Sequence, residues 1–297
     1  MNHIAHLTDR KILKLSGPDA EHFLQGLITN DIAKITKNSA KPTAIFAGLL
    51  TPQGKILFDF FIAPCMDGFF LDVPAKQTHN ILKRLRFYKL RANLNIEDTS
   101  EDFDVVYLSS NETNADLPSG TIYADPRLGN SDLGWRGVIT RNELQALLNN
   151  AEYENLHLSN YHALRIQLTV PEGELDYLYG QAFAFDACYD LLNGIDFGKG
   201  CYVGQEVVSR MHHRGTARKR IAKVISSTPL TPGSDIEADG RVIGRMGSFH
   251  EGVGIAIVRL DKAAKAIKEN SPILVSDTPV QLSPPEWANY SLSENED

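Results

Sequence analysis

The chain has 297 residues, 42% hydrophobic and 23% charged, with 30 Lys and Arg against 37 Asp and Glu for a formal charge of −7. That length suits about two or three compact units, and the balance excludes disordered, collagen-like and coiled-coil classes as well as a uniformly basic surface that grips nucleic acid. Three cysteines, Cys65, Cys188 and Cys201, do not make a secreted disulfide framework, which points to a reducing compartment.

The N-terminal MNHIAHLTDRKILKL has neither an apolar signal core nor an Arg- and Ser-rich presequence, and no run of about 18 apolar residues follows. A cytoplasmic location without a membrane partner is the expectation. SGPDAEHFLQGLITND predicts a helix capped at Ser16 or Gly17, with Pro18 in its first turn and one buried face through Ala20, Phe23, Leu24, Leu27 and Ile28, ending near Thr29-Asn30-Asp31. AIFAGLLTPQGKILFDFFIAP reads as two strands around a Thr-Pro-Gln-Gly turn, and FFLDV as a third.

AKQTHNILKRLRFYKLR has helical spacing through Ile81, Leu82 and Leu85, with a basic face read as solvated. ANLNIEDTS and FDVVYLSS read as strands, NETNADLPSG as a polar loop, RGVITRNELQALLNN as a strand running into a helix, and LSNYHALRIQLTV as a helix from about Ser159. This order predicts α+β with largely antiparallel sheets. Beyond Gly215 to Lys219 the short strands of KRIAKVISS, SDIEADGRVIGRMGSFHEGVGIAIVRL and SPILVSD predict a small β-barrel or sandwich. The domain reading is therefore 1–215, then 216–283, then an acidic tail over 284–297 expected to be mobile.

DFGKGCYVGQEVVSRMHHRG carries the chemistry. Gly198, Gly200 and Gly204 flank Cys201 and leave its backbone free for positive φ and for close approach of a ligand, while Lys199, Arg210 and Arg214 are cations that lower a thiol pKa when they fold towards it. Cys201 is read as an accessible functional thiol, Cys65 and Cys188 as core residues. Without a CxxC pair, Cys188, Cys201, His212 and His213 do not make a stable four-ligand set, so no resident metal is expected. Asp59, in GKILFDFFIA, places a carboxylate on an apolar stripe with Leu57 and Phe61. It is either a local partner for an Arg or a functional group, fit to bind an aminopyrimidine or act as a general acid or base. RMHHRGTARKR is a basic run, either a solvated linker or a holder of an anionic tail. It lacks the interleaved aromatics of a base-stacking surface, and direct nucleic-acid binding is not expected.

KGCYVGQE resembles the signature of the YgfZ-type folate-binding proteins, relatives of the glycine-cleavage aminomethyltransferase that include mitochondrial iron–sulfur assembly factors. FLQGLITNDI, LLTPQGKILFDF, YKLRA, ADPRLGNSDLGWR, YHALRIQLTVPEG and GRVIGRMGS follow in the family's order. The resemblance implies an aminomethyltransferase-like cloverleaf: two interleaved α+β domains and a C-terminal β-barrel around a tetrahydrofolate site. It implies a folate-binding accessory factor for iron–sulfur clusters in client enzymes, including tRNA-modifying radical enzymes, with folate and iron–sulfur client or assembly proteins as partners. A tetrahydrofolate-dependent one-carbon transferase is the alternative. Cys201 and Lys199 match the motif, Asp59 matches the transferase carboxylate, and Asp186 in FAFDACYD is the candidate pterin contact. Tyr202, Gln205 and Glu206 are expected to wall the loop, Arg214 to hold the folate tail, and Lys199 and Cys201 to edge a central opening.

Overall fold

The structure is a computed structural model that describes residues 2–35, 43–110, 120–129, 132–215 and 217–292. The polar loop expected over NETNADLPSG lies, but for Gly120, outside the described residues, as does the end of the tail, 293–297. By density of contacts the chain divides into two units. The first comprises Met1–Leu50, Leu57–Tyr161 and Leu192–Val203, and the second Thr51–Ile56, His162–Leu191 and Gly204–Asp297.

The first unit is built on β1 (Asn2–His6), β2 (Arg10–Ser16), α1 (Ala20–Gln25), β3 (Ile45–Leu50), β4 (Ile56–Cys65), β5 (Gly68–Pro74), α2 (Thr78–Lys89), β6 (Asn95–Asp98), β7 (Phe103–Leu108), β8 (Thr121–Ala124), β9 (Trp135–Thr140), α3 (Arg141–Leu148) and β10 (Tyr153–Leu156). One sheet runs β3-β4-β5-β2-β6 and the other β10-β1-β7-β9-β8, so β1 and β2, consecutive in the chain, enter different sheets, as do β6 and β7. Strand β1 pairs with β10 in parallel, and the pairings β1–β7, β2–β5, β2–β6, β4–β5, β7–β9 and β8–β9 are antiparallel. The unit boundary falls within α4 (Leu158–Gln167). At α3, Thr140 accepts from the Glu143 amide while the Glu143 carboxylate accepts from the Thr140 amide, a reciprocal cap that fixes strand-to-helix passage.

Helix α1 is shorter than its apolar spacing predicts. It is capped at Asp19, not at Ser16 or Gly17, and Gly17 instead adopts φ +112° where a Cβ would lie 2.9 Å from the Asn93 carbonyl oxygen. It ends at Gly26, although Leu27 and Ile28 are buried as expected.

The second unit holds α5 (Gln205–Arg214), β11 (Lys219–Ile225), β12 (Asp235–Ala238), β13 (Arg241–His250), β14 (Val253–Arg259), α6 (Leu260–Lys268), β15 (Ile273–Val275), β16 (Thr278–Pro279) and β17 (Gln281–Ser283). Their sheet runs β16-β15-β12-β13-β14-β11-β17. Its outermost strands, β16 and β17, are separated in the chain by Val280 alone, so the two edges meet and the sheet is a nearly closed barrel. Register shifts at Ile236/Glu237 and between Met246 and Phe249 mark the bulges that let it curl. Ala222, Val224, Ile236, Met246, Val258 and Val275 fill its interior, and α6 closes over it with Ala263 and Ala266.

Residues 284–292 correct the expectation of a mobile tail. The Trp287 indole donates to the Leu168 carbonyl at 2.9 Å, the Tyr290 hydroxyl donates to the Ile221 carbonyl at 2.6 Å, and Leu292 is buried in the barrel core. Apolar anchors outweigh the polar composition on which that expectation rested.

Candidate functional site

In the first unit the segment from Asn193 to Val203 lies along the end of α1. The Thr29 hydroxyl donates to the Gly194 carbonyl at 2.5 Å, the Asn30 side-chain amide to the Asn193 carbonyl at 2.7 Å, and the Asp196 amide to the Thr29 carbonyl at 3.0 Å. Asp196 then turns the chain: one carboxylate oxygen accepts from the amides of Gly198 and Lys199, at 2.7 and 3.0 Å, and the other pairs with Lys34 at 2.7 Å. The Lys34 hydrogen bond holds the Asp196 carboxyl below the usual range, so the turn is made by the ionised form.

Lys199 is the pin of this loop. Its ammonium donates to the carbonyls of Gln25, Ile28 and Asn30 at 2.8, 2.6 and 2.8 Å, which uses all three of its donors. Gln25 is the last residue of α1, and Ile28 and Asn30 lie in the segment that follows it, so the lysine ties the helix end to its exit from some 170 residues along the chain. Burial lowers its pKa to about 8 against the opposing pull of Asp31 and Asp196. Lys199 is 7% exposed, and its ammonium faces inward towards these carbonyls. Tyr202 lies beneath it, buried, with the ammonium 5.0 Å from the ring centroid and the phenol pKa pushed up by burial.

Cys201 stands between these two inward side chains and is exposed. Exposed Phe197 shares its loop. The flanking glycines act differently from expectation: only Gly204 takes a positive φ, +83°, as the residue that caps α5, whereas Gly198 and Gly200 do not. The other thiols are withheld. Burial pushes the Cys65 pKa up to about 11 and raises that of the fully buried Cys188. Among the described residues no three His, Cys, Asp or Glu side chains are grouped to hold a metal ion. Asp59, on β4, is 2% exposed, and Phe58, Phe60 and Phe61 around it in sequence are buried as well, so both faces of the strand are covered.

The remaining candidates belong to the second unit. Gln205 and Glu206 form the first turn of α5, where the Glu206 carboxylate meets the positive end of the helix dipole, and Arg214 is exposed at the other end. The basic run does not form one patch, because Arg220 turns inward to pair through both nitrogens with Asp190 at 2.6 and 2.9 Å and to donate to the Phe185 carbonyl. Asp186 is 7% exposed and lines a groove of about 450 Å³ with Leu178, Met246, Lys219 and Arg245. One of its oxygens accepts from the Phe183 amide at 3.0 Å, and burial raises its pKa despite Lys219 and Lys55 nearby. Lys55 itself lies 3.3 Å from the Phe183 ring centroid and donates to the Gln181 carbonyl.

Sequence reasoning missed a buried charge network in the first unit. Asp72 accepts from Arg10 at 2.6 Å and from Arg136 at 2.5 and 3.0 Å, Asp125 accepts from Arg127 at 3.0 and 2.7 Å, and the Tyr161 hydroxyl accepts from Arg127 and Arg136 at 3.0 and 2.8 Å. All three guanidiniums surround the Phe61 ring, with Arg136 nearest at 4.2 Å. The available signal was ADPRLGNSDLGWR, three charged residues of which are buried here.

Comparison with known proteins places these features. The mouse mitochondrial iron–sulfur cluster assembly factor IBA57 is 31% identical over 308 residues, which span 95% of this chain and 84% of the relative. The chain belongs to the IBA57 family. The human member is likewise 31% identical, over 86% of this chain and 77% of its own. The homologues from Coccidioides immitis and Dictyostelium discoideum are 33% and 31% identical, and the chain spans only 55% and 62% of their lengths. Residues 218–290 match the model of the CAF17 C-terminal beta-barrel domain. Glycine cleavage system aminomethyltransferase T from Bartonella henselae superposes with a TM-score of 0.73 at 14% identity, covering 95% of this chain and 84% of that one, so the fold is aminomethyltransferase-like. The cytoplasmic expectation is corrected, because these IBA57 relatives are named mitochondrial. It rested on the cysteine usage and on the want of a targeting signal in N-terminal residues that form β1 and β2.

Proposed function

We propose that this protein assists assembly or repair of iron–sulfur clusters in client enzymes through the Cys201 thiol, with tetrahydrofolate as cofactor. The observation that carries the reading is the contrast within one loop: an exposed thiol on a backbone fixed by the buried Lys199 ammonium. Such a thiol offers one sulfur ligand to an iron of a cluster in transit. One sulfur is fewer than a resident cluster needs, so the other ligands come from a partner protein or a small thiol. The relatives' names support a place in cluster assembly. Clients that include tRNA-modifying radical enzymes are inferred from the KGCYVGQE resemblance.

For folate, the fit lies in Asp186. Its buried carboxyl borders a groove of a size that suits a small heterocycle, and a carboxylate is the natural acceptor for the amino and ring N–H groups of a pterin. Tyr202, Gln205 and Glu206 keep their role as the wall of the loop, Arg214, which lies outside the motif, is the candidate holder of the folate tail, and Asp59 remains the candidate acid or base. In this role Lys199 is a positioning residue.

The deciding experiment compares Cys201→Ala and Asp59→Asn in cells that lack the protein, with activity of iron–sulfur enzymes as readout. Loss with Cys201→Ala supports the reading. Full activity with Cys201→Ala and loss with Asp59→Asn would replace it with the one-carbon transferase. Calorimetry with tetrahydrofolate tests the cofactor separately, and absence of binding would remove the folate part of the proposal.

A further inference from the structure

Helix α2 buries Thr78, Ile81 and Leu85 on one face. Its spacing places Lys83 and Phe87 on the opposite one, with Arg86 exposed on the flank, where its guanidinium comes within 3.5 Å of the Ile96 carbonyl. From Val73 to Ile96 there is no acidic residue, while six cations occur between Lys76 and Arg91, in a chain whose net charge is −7. At the end of this basic face two large apolar side chains stand in solvent: Phe87 is 69% exposed and Leu90 is 86% exposed. A solvated basic helix accounts for the charges and leaves those two unexplained.

Leu90 adds an independent observation. It takes φ +46° and ψ −109° where the helix stops, a position that favours glycine and strains a side chain with a Cβ. No packing compensates, given the exposure. A leucine kept at a strained and wet position is a candidate for contact with something outside the chain.

We infer that the C-terminal end of α2 is a docking surface for an anionic lipid membrane, with Phe87 and Leu90 entering the interface and Lys83, Arg86 and Arg91 meeting the headgroups. Charge complementarity selects this occupant, since an uninterrupted cationic segment is drawn to an acidic leaflet. An apolar pair ringed by long cations also suits the boundary between headgroups and acyl chains, where the aliphatic stems lie along the apolar layer. No helix among the described residues is long and apolar enough to cross a membrane, so this is peripheral attachment. It revises the expectation of no membrane partner, which considered spanning segments alone.

The test is flotation of the full chain with vesicles of phosphatidylcholine alone or with roughly one third phosphatidylglycerol. Binding to the acidic vesicles only, weakened by salt, is expected. Leu90→Gly, which relieves the backbone, should lower binding about tenfold without lowering the thermal midpoint, and Lys83→Glu with Arg86→Glu should abolish it. Absence of binding, equal binding to neutral vesicles, or binding indifferent to Leu90→Gly would overturn the inference. So would capture of a polyglutamate peptide without vesicle binding, which would assign the surface to an acidic protein.

Discussion

The Lys199 ammonium lies 2.6 Å from the carbonyl oxygen of Ile28, inside a ring of three carbonyls that also includes Gln25 and Asn30. This joins the cysteine loop to the end of α1 by the strongest kind of neutral-acceptor hydrogen bond, one with a charged donor. A rigid loop then presents Cys201 outward, because the side chains before and after it, Lys199 and Tyr202, are both directed into the protein.

Lys199→Met is therefore expected to cost about 2–4 kcal/mol of stability, since three carbonyls lose a charged donor at a site poor in water. Lys199→Arg is not expected to restore it, because a planar guanidinium cannot converge on three carbonyls that surround a point charge. Urea unfolding of the three proteins checks both statements. Equal midpoints for wild type and Lys199→Met would remove the pin from the account of the loop.

Thiol chemistry should single out Cys201. With Cys65 pushed up to about 11 by burial and Cys188 fully enclosed, the native protein should react with iodoacetamide at neutral pH at one fast site. Mass spectrometry of the digested protein should find that label on Cys201, and Cys201→Ser should abolish the fast phase. Fast labelling of Cys188 would contradict the burial on which this rests.

The parts of the fold with a local periodic signal were legible in the sequence: the β3–β4 pair, α2, the strand running into α3, and the short strands of the barrel. Helix α6 was not, since its buried face is made of Ala263, Ala264 and Ala266, too small to register as an apolar stripe. Strands β1 and β2 escaped because they enter different sheets, so no hairpin pattern joins them. At the site, the reading of Cys201 as an accessible thiol agrees with its exposure, although Gly198 and Gly200 do not supply the positive φ it invoked, and the work of Lys199 was not legible. Its partners lie some 170 residues away, and nothing in KGCYVGQE distinguishes a buried ammonium from one at an opening.

Asp72 should be the most sensitive position of the buried network. It balances Arg10 and Arg136, both almost fully enclosed, so Asp72→Ala takes the nearest carboxylate from two buried guanidiniums and leaves Asp125 at 4.0 Å from Arg136. A loss of about 3–5 kcal/mol is expected, enough to compromise folding at physiological temperature. Phe61→Leu, which removes the ring that all three arginines surround, should cost about 1–3 kcal/mol. Chemical denaturation of both variants gives the order, and a larger effect for Phe61→Leu would place the weight on packing.

Asp186 carries the pH dependence. Burial raises its folded pKa above the unfolded value of about 3.9, so the folded state holds this proton more tightly than the unfolded one. The stability it contributes is fully present below the unfolded pKa and is lost as pH rises through the folded pKa. Asp186→Asn can still accept from the Phe183 amide and removes the titrating group. The variant should match wild type near pH 4 and exceed it in stability at pH 7, while losing tetrahydrofolate binding if the groove receives the pterin. Paired urea titrations at the two pH values, with calorimetry at the higher one, separate the outcomes. A variant less stable than wild type at pH 7 would make Asp186 a structural residue and remove the reason to regard its burial as serving a ligand.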